Sequence, residues 1–304
     1  MNAVKSIDLC RSYGAIEALS GLSFTVEKGT LFGLIGPDGA GKTTFMNIAA
    51  CLLLQDSGSL AVDGFDTVRR PWDIKRIVGY MPQAFSLYPD LSVMENLVFF
   101  ADLFGVGKKE RKRRIERLLG FSNLGPFTAR RAGRLSGGMK QKLALSCTLI
   151  HTPTVLFLDE PTTGVDPVSR REFWRLLADI RDEGATIVVS TPYMDEAEKC
   201  DRVGFIMRGK IIMEDAPEAI PDRFGHDILR IRGTGLVRSS RLLRFPDVVL
   251  DTQSFGDRLH LTVEKADEAV PQIRRFLDEQ GIGDVEIERA KPSVEDVFME
   301  HMTR

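Results

Sequence analysis

The feature that most restricts the fold of this chain is a short apolar run, Leu31 to Ile35, followed at once by the glycine-rich segment GPDGAGKTT at residues 36–44. A short apolar run that ends in glycine is typical of a buried parallel strand feeding a helix. The segment fits the pattern GxxxxGK[ST], which requires this strand–loop–helix context. The chain is therefore predicted to contain a parallel α/β sheet with an anion-binding loop at the end of one strand.

The residue types of this segment, called here the phosphate loop, suit a dense polyanion. Glycines let backbone N–H groups point inward, and the start of the following helix adds the positive end of its dipole. Lys42 is expected to reach the β- and γ-phosphates, and Thr43 to give its hydroxyl to Mg²⁺. The alternative is an ordinary glycine turn, against which the full motif after a strand argues. The candidate phosphate-binding residues are Gly36, Pro37, Asp38, Gly39, Ala40, Gly41, Lys42, Thr43 and Thr44.

A second apolar run, VLFLD at residues 155–159, ends in the adjacent carboxylates Asp159 and Glu160. Asp159 is expected to hold Mg²⁺ directly or through water, and Glu160 to accept a proton from an attacking water. A strand end with solvated acids would be an equally good explanation if this motif stood alone. The phosphate loop in the same chain favours the catalytic interpretation.

The apolar residues after about residue 92 recur with the period of a helix. Three helices are expected, over about 93–104, 107–119 and 137–150. Residues 84–150 are therefore predicted to form a helical insertion. Strand-like runs return at 186–190 and 203–207, and Arg208-Gly209 is predicted to be the turn of a hairpin. Strands that alternate with helices in this way indicate a parallel sheet.

The last part of the chain has a different character, so the domain limits are predicted at 1–220 and 221–304. Its expected strands and helices lie at 228–232, 258–263, 266–280 and 285–289, with a last helix opened by Pro292-Ser293. This pattern predicts a small α+β domain.

Composition narrows the class of protein. The 304-residue chain is 43% hydrophobic, enough for a sizeable core, and its net charge of −2 argues against a general nucleic-acid binder. The four cysteines form no CxxC pair, which favours reduced thiols over a disulfide or metal site. No signal peptide and no apolar run of membrane-spanning length is seen, so a membrane role would need a separate membrane partner. Trp72 and Trp174 are expected to be packing residues.

Between the phosphate loop and the carboxylates, the segment LSGGMKQ at residues 135–141 resembles the signature of the ABC ATPase superfamily. By itself SGG would be only a flexible helix entry. The resemblance implies a P-loop NTPase fold of the ABC type, with a RecA-like core, an antiparallel β subdomain and a helical subdomain. It also implies that ATP and Mg²⁺ bind at the phosphate loop.

The same resemblance assigns roles to residues outside the two loops. Tyr13 matches the aromatic that stacks on adenine, although a ring packed on a sheet is the alternative. Gln83 matches the residue that contacts Mg²⁺ and faces the membrane partner, and Asp166 matches the D-loop residue that crosses between two cassettes. Signature residues act on the ATP of a second cassette, which implies a homodimer or heterodimer; in this chain they are Ser136, Gly137 and Gly138.

One segment departs from the family pattern. The family usually has STH-x-x-DEA at the switch segment, residues 190–197 here, where the histidine contacts the γ-phosphate; this chain has Pro192 at that position. Proline has no side-chain donor and fixes φ. The hypothesis is that the site built on this chain's own phosphate loop binds ATP but hydrolyses it poorly. The alternative is that Glu160 suffices.

The segments around the motifs are similar to drug-efflux cassettes that serve ABC-2 type permeases, most of all to the first cassette of tandem-cassette efflux ATPases. This similarity implies an exporter subunit at the cytoplasmic face of the cell membrane, with an integral membrane permease docked near Gln83 to Glu95. Two alternatives stay open: a non-hydrolysing regulatory nucleotide-binding module, and a soluble ABC ATPase with no transport role.

Overall fold

A computed structural model of the chain describes residues 1–233, 236, 247–255 and 257–303. The chain forms two compact units, Met1–Pro217 and Glu218–Arg304. The division lies close to residue 220, where the composition of the sequence changes. In the described part of the chain, no helix combines the length and the apolar character that crossing a membrane requires.

The first unit contains ten strands and six α-helices among the described residues. The strands are β1 (Asn2–Tyr13), β2 (Ile16–Glu27), β3 (Leu31–Ile35), β4 (Ser57–Val62), β5 (Phe65–Asp66), β6 (Val78–Met81), β7 (Val155–Asp159), β8 (Thr186–Thr191), β9 (Arg202–Met207) and β10 (Lys210–Asp215). The helices are α1 (Lys42–Ala49), α2 (Pro71–Ile77), α3 (Val93–Leu103), α4 (Lys108–Ser122), α5 (Gly137–Leu149) and α6 (Pro167–Asp182).

The larger sheet of this unit has the strand order β10-β9-β3-β8-β7-β6. All neighbours pair in parallel except β9 and β10, which form an antiparallel hairpin. Every residue of β3, β7 and β8 is buried, as continuous apolar runs in a parallel sheet are. Because these three strands are adjacent and parallel, the segments that follow them meet at one edge of the sheet.

The predicted hairpin is confirmed at Arg208-Gly209. Both residues have positive φ, 48° and 73°, the conformation of the two central positions in a tight hairpin turn.

A smaller antiparallel sheet has the order β2-β1-β4-β5. Helix α1 packs between the two sheets through Phe45, whose ring centroid lies 5.0 Å from that of Phe24 and 6.3 Å from that of Phe157. Phe24 in turn stacks on Phe32 of β3 at 5.3 Å. These ring contacts bury large apolar areas and hold the phosphate loop between fixed elements.

The three helices predicted between residues 93 and 150 are present as α3, α4 and α5. Helix α3 begins with a capping box between Ser92 and Glu95, which satisfies two backbone N–H groups at its start. Helix α2 was not predicted, because only Ile74 of its residues is buried and it has no periodic pattern to read. Trp72 of this helix is 73% exposed, so its predicted packing role is wrong, whereas Trp174 is buried as expected.

The second unit has strands β11 (Asp227–Arg232), β12 (Val249–Phe255), β13 (Arg258–Val263) and β14 (Glu286–Ala290), with helices α7 (Ala266–Glu279) and α8 (Val294–Thr303). The strands form an antiparallel sheet in the order β12-β13-β11-β14. Leu229 and Leu261 of this sheet share a core with Ile273 and Leu277 of α7. The α+β prediction is confirmed, although strand β12 was not predicted and β14 begins one residue later than expected.

Candidate functional site

The phosphate loop turns sharply between β3 and α1, and at two of its glycines there is no room for a side chain. A Cβ at Gly36 would lie 2.2 Å from the carbonyl oxygen of Ile206, and one at Gly41 would lie 2.4 Å from that of Ala18. Gly41 also has φ 108° and is the N-cap residue directly before α1. Since glycine has no side chain to cap the helix, the first N–H groups of α1 are available to an anion.

Lys42 lies inside the loop with only 3% of its surface exposed. Its Nζ donates hydrogen bonds to the carbonyl oxygens of Gly36 at 2.8 Å and Pro37 at 3.0 Å. The same atom lies 3.2 Å from Oε1 of Glu160. A buried cation is stable only when it is paired in this way. The Lys42 ammonium is therefore held inside the loop, where it can meet a negatively charged ligand.

Glu160 follows directly on β7 and is held in a strained conformation. It is a non-glycine residue with φ 48°, which costs about 1–3 kcal/mol unless the surroundings compensate. Its backbone N–H is bonded to the carbonyl and hydroxyl oxygens of Ser190 at 3.1 and 3.0 Å. Its Oε2 accepts a hydrogen bond from Nε2 of Gln83 at 2.8 Å. The strain therefore presents the carboxylate to Lys42 and Gln83 together.

Asp159 at the end of β7 is fully buried. Its Oδ1 accepts a hydrogen bond of 2.6 Å from the hydroxyl of Ser190. Its Oδ2 has no hydrogen-bond partner among the described residues. An unpaired buried carboxylate oxygen is costly, and it suits a hard divalent cation held directly or through water. The Thr43 hydroxyl and the Gln83 side-chain oxygen are of the same oxygen-donor type, which Mg²⁺ prefers.

The phenol of Tyr80 on β6 lies within range of the negative charge of Asp159. Burial, and after it the negative charge of Asp159, raise the pKa of the phenol above its ordinary value. The hydroxyl donates to Oδ1 of Asn47 in α1 at 3.1 Å. Tyr80 is therefore a neutral donor that ties β6 to α1 beneath the site.

The switch segment begins in β8, where Ser190 pairs with Asp159 of β7. Pro192 follows two residues later, so it lies at the same edge of the sheet as the carboxylates. The ring of Tyr193 lies under the guanidinium of Arg170, at 4.1 Å from the ring centroid. His151, the one histidine of the first unit, lies at the other end of the sheet, with Nε2 at 3.1 Å from the carbonyl of Val78.

The signature residues start helix α5. The hydroxyl of Ser136 accepts a hydrogen bond from the N–H of Met139, and Gly137 is exposed beside it. A Cβ at Gly138 would lie 2.3 Å from that of Ser169, so α5 packs directly on the start of α6. Among the described residues, no hydrogen bond or ion pair joins these residues to the phosphate loop of the same chain.

Asp166 of the D-loop caps helix α6. Its Oδ1 accepts hydrogen bonds from the N–H groups of Ser169 at 3.0 Å and Val168 at 3.1 Å. These bonds, with that from Ser169 the strongest, lower the pKa of the Asp166 carboxyl below its ordinary value. The negative charge also suits the positive end of the helix dipole.

Tyr13 lies at the end of β1 with 47% of its surface exposed. The guanidinium of Arg11 lies over the ring at 5.2 Å from its centroid. The ring is thus not buried in the sheet, and its exposed area is available to a planar group.

The structure adds residues that the sequence did not single out. Ser190 bonds both Asp159 and Glu160, and Glu196 is a fully buried carboxylate just after Pro192. Both residues lie in the switch segment, so the sequence places them close to Pro192. The sequence does not predict their roles, because hydrogen-bond partners on other strands leave no local pattern.

Comparison with known proteins gives consistent results for both units. Residues 19–163 match the ABC transporter family, and residues 216–302 match the C-terminal domain of DrrA1-3-like ATP-binding proteins. The chain is 44% identical over 286 residues to the probable multidrug ABC transporter ATP-binding protein YbhF of Escherichia coli, covering 93% of this chain and 49% of that protein. It thus spans about half the length of that relative.

Two further relatives match over most of their own length. The daunorubicin resistance ATP-binding protein DrrA2 of Streptomyces coeruleorubidus is 33% identical over 302 residues, covering 98% of this chain and 94% of the relative. The dimeric ATP-binding cassette MJ0796, solved with ADP and Pi, superimposes with a TM-score of 0.64 at 26% identity, covering 70% of this chain and 98% of that structure. The fold is that of an ABC cassette of the P-loop NTPase class, and the chain belongs to the ATP-binding proteins of the ABC transporter family.

Proposed function

We propose that this chain binds Mg-ATP at its phosphate loop and acts as one of the two cassettes that power an exporter with a separate ABC-2 type permease. The observation that carries the proposal is the convergence of Lys42, Gln83 and the adjacent pair Asp159 and Glu160, from three separate segments, on one edge of the parallel sheet. Names of the relatives, which refer to multidrug transport and daunorubicin resistance, support export as the direction of transport.

Each residue of the site has a defined task in this proposal. Lys42 exchanges the carbonyls of Gly36 and Pro37 for phosphate oxygens, because a phosphate offers it a full negative charge. Thr43, Asp159 and Gln83 would hold Mg²⁺, which supplies charge neutralisation to the phosphates when bound. Glu160, freed from Lys42 by the incoming phosphate, accepts the proton of the attacking water. Tyr13 stacks on the adenine.

Ser136, Gly137 and Gly138 would act on ATP held by a second cassette. Exposure of Ser136 and Gly137 at the start of α5 supports this role, since a helix start with free N–H groups binds an anion. Asp166 lies in the neighbouring D-loop that would cross between the cassettes. The dimeric arrangement of the relative MJ0796 is consistent with such a pair. Two ATP molecules would then hold the two chains together until one is hydrolysed.

Within this arrangement, the site on this chain's own phosphate loop is proposed to hydrolyse ATP poorly because Pro192 offers no side-chain donor. A non-hydrolysing regulatory module is the second candidate function, and the same residue favours it. Intact Lys42, Asp159 and Glu160 favour an ATPase over that candidate. Turnover measurements on variants of Pro192 distinguish the two.

Permease docking is proposed on an apolar surface formed by Tyr88 and Phe99, which are both partly exposed. Tyr88 and Phe99 pack edge to face with ring centroids 4.6 Å apart, so they present one continuous aromatic area. This docking surface lies next to Gln83 in sequence. Movement of Gln83 on ATP binding would therefore be transmitted to the permease, at the cytoplasmic face of the membrane, through the short segment that joins Gln83 to the docking surface.

Replacing Lys42 with alanine is expected to weaken ATP binding by roughly tenfold to a hundredfold, since it removes charge-assisted hydrogen bonds to phosphate. Binding is measured by titration with a fluorescent ATP analogue in the presence of Mg²⁺. Lys109→Ala, on the exposed side of α4, is the matched control and is expected to bind as the parent does. Equal affinity in all three proteins would contradict an ATP site at the phosphate loop.

The double change Tyr88→Ser and Phe99→Ser is expected to lower recovery of a stoichiometric integral membrane polypeptide by about tenfold, because aromatic anchors dominate interface energies. Recovery is measured by affinity purification of the tagged chain from detergent-solubilised membranes of its own cells. Leu250→Ser, an exposed apolar residue of the second unit, is the control. Undiminished recovery with unchanged ATP binding would rule out this docking surface.

A further inference from the structure

Glu196 is a fully buried carboxylate in the 3₁₀ helix that follows the switch segment's proline. Its Oε1 accepts three hydrogen bonds, from Oγ1 of Thr162 at 2.7 Å, Nε of Arg170 at 2.5 Å and Nε1 of Trp174 at 2.9 Å. Its Oε2 accepts a fourth, from Oγ1 of Thr191 at 2.5 Å. A buried charge is tolerated only when it is satisfied in this way, and here four donors converge on it.

The four donors come from three parts of the ATP site. Thr162 stands two residues after Glu160, in the turn that leaves β7. Arg170 and Trp174 belong to α6, the helix that Asp166 of the D-loop caps. Thr191 is the last residue of β8, immediately before Pro192. One carboxylate thus joins the turn after Glu160, the D-loop helix and the switch segment.

Thr191 extends this network to the backbone around Pro192. Its hydroxyl donates to Glu196 while accepting a hydrogen bond of 3.1 Å from the N–H of Tyr193. Pro192 has no N–H of its own, so its neighbours must fix the chain there. The ring of Tyr193 is held in addition by the guanidinium of Arg170, which Glu196 itself anchors. The position of the switch segment therefore depends on Glu196 rather than on the side chain at 192.

Helix α6 continues the connection to the signature helix. Lys142 of α5 forms an ion pair of 2.5 Å with Glu172 of α6, and Gly138 lies directly against Ser169. Residues 169–174 of α6 therefore contact the signature helix and also donate to the carboxylate of Glu196. Because Gly138 is buried directly against Ser169, a shift of the switch segment is expected to move the start of α6 against α5.

We propose that Glu196 is the positioning residue that holds the proline-containing switch segment against the carboxylates of β7 and couples it through α6 to the signature helix. This role rests on the proposed ATP site, since the coupling matters only when nucleotide binds there. Glutamine at this position keeps the size of the side chain but has one acceptor oxygen and an NH₂ group. That NH₂ would face the hydroxyl of Thr191, which now donates to Oε2 and would lose this acceptor, so the network would lose its charge and a bond.

Trp174 provides a direct signal of this network, because its indole N–H donates to Glu196. The sequence has two tryptophans, so Trp72→Phe leaves Trp174 as the only one. In that background, emission of Trp174 is recorded with and without Mg-ATP for the parent, Glu196→Gln and Glu198→Gln. Glu198 is exposed on the same 3₁₀ helix, so it undergoes the same chemical change outside the network. Binding of a fluorescent ATP analogue is measured in parallel, and the readout needs no turnover.

The parent and Glu198→Gln are expected to change Trp174 emission when Mg-ATP binds. In Glu196→Gln the change is expected to fall about fivefold or more, with ATP affinity within about threefold of the parent, since an unpaired buried donor set rearranges locally. If Glu196→Gln does not fold, Thr191→Val and Thr191→Ser replace it. Valine lacks the hydroxyl and is expected to reduce the change in Trp174 emission. Serine keeps the hydroxyl and is expected to give the same emission change as the parent.

Each contrary result has a distinct meaning. A parent that binds the analogue without a change in Trp174 emission overturns the proposed coupling, as does a Glu196→Gln or Thr191→Val protein that responds like the parent. Failure of the parent to bind the analogue, or equal binding by Lys42→Ala, overturns the proposed ATP site instead.

Discussion

Replacing Pro192 with histidine is expected to raise ATP turnover at this chain's own site by about a hundredfold, the typical effect of one well-placed donor on developing charge. The switch segment is already aligned for it, because Ser190 bonds both Asp159 and Glu160. An imidazole two residues further on would stand at the same edge of the sheet. Steady-state phosphate release measures turnover, and equilibrium ATP binding, which is expected to stay unchanged, is measured beside it.

Pro192→Ala is the matched control for this change. It removes the pyrrolidine ring and restores a backbone N–H, but it adds no side-chain donor. Turnover of the alanine variant is therefore expected to remain at the level of the parent. High turnover by the unmodified chain, with no increase in the Pro192→His protein, would mean that Glu160 suffices without a histidine. The site on this chain's own phosphate loop would then not be degenerate.

Glu160→Gln, made in the Pro192→His protein, is expected to lower the recovered turnover by about a thousandfold, because an amide cannot accept the proton of water. ATP binding is expected to persist, since the change also removes a negative charge 3.2 Å from Lys42. With hydrolysis blocked, two chains are expected to remain closed on ATP. Phosphate release measures the first effect, and light scattering with Mg-ATP measures the dimer.

Glu279→Gln, on the exposed face of α7, is the control for a glutamate-to-glutamine change elsewhere in the chain. It is expected to leave both turnover and dimer formation as they are in the Pro192→His protein. A Glu160→Gln protein that kept more than about a tenth of the turnover would show that another group acts as the base, because losing the true base costs at least about a hundredfold.

Much of the fold follows from local patterns in the sequence. The apolar run before Gly36 predicted the buried strand β3, and the positive-φ pair Arg208-Gly209 was predictable as a turn from its residue types. The helical period after residue 92 predicted α3, α4 and α5 within a few residues. Helix α2 and strands β6 and β12 were missed, because none of them has an apolar pattern long enough to set a period.

The sequence by itself determined that the phosphate loop, the carboxylate pair and the proline at 192 follow strand ends and that the signature starts a helix. Only the tertiary structure decided which of them touch. The contacts of Glu160 with Lys42 and Gln83 require β3, β8, β7 and β6 to lie side by side in this order, and the four bonds to Glu196 require α6 to pack beside β8. The reason is physical: periodicity and turn chemistry act between near neighbours in the chain, whereas strand order and the packing of helices bring distant residues together.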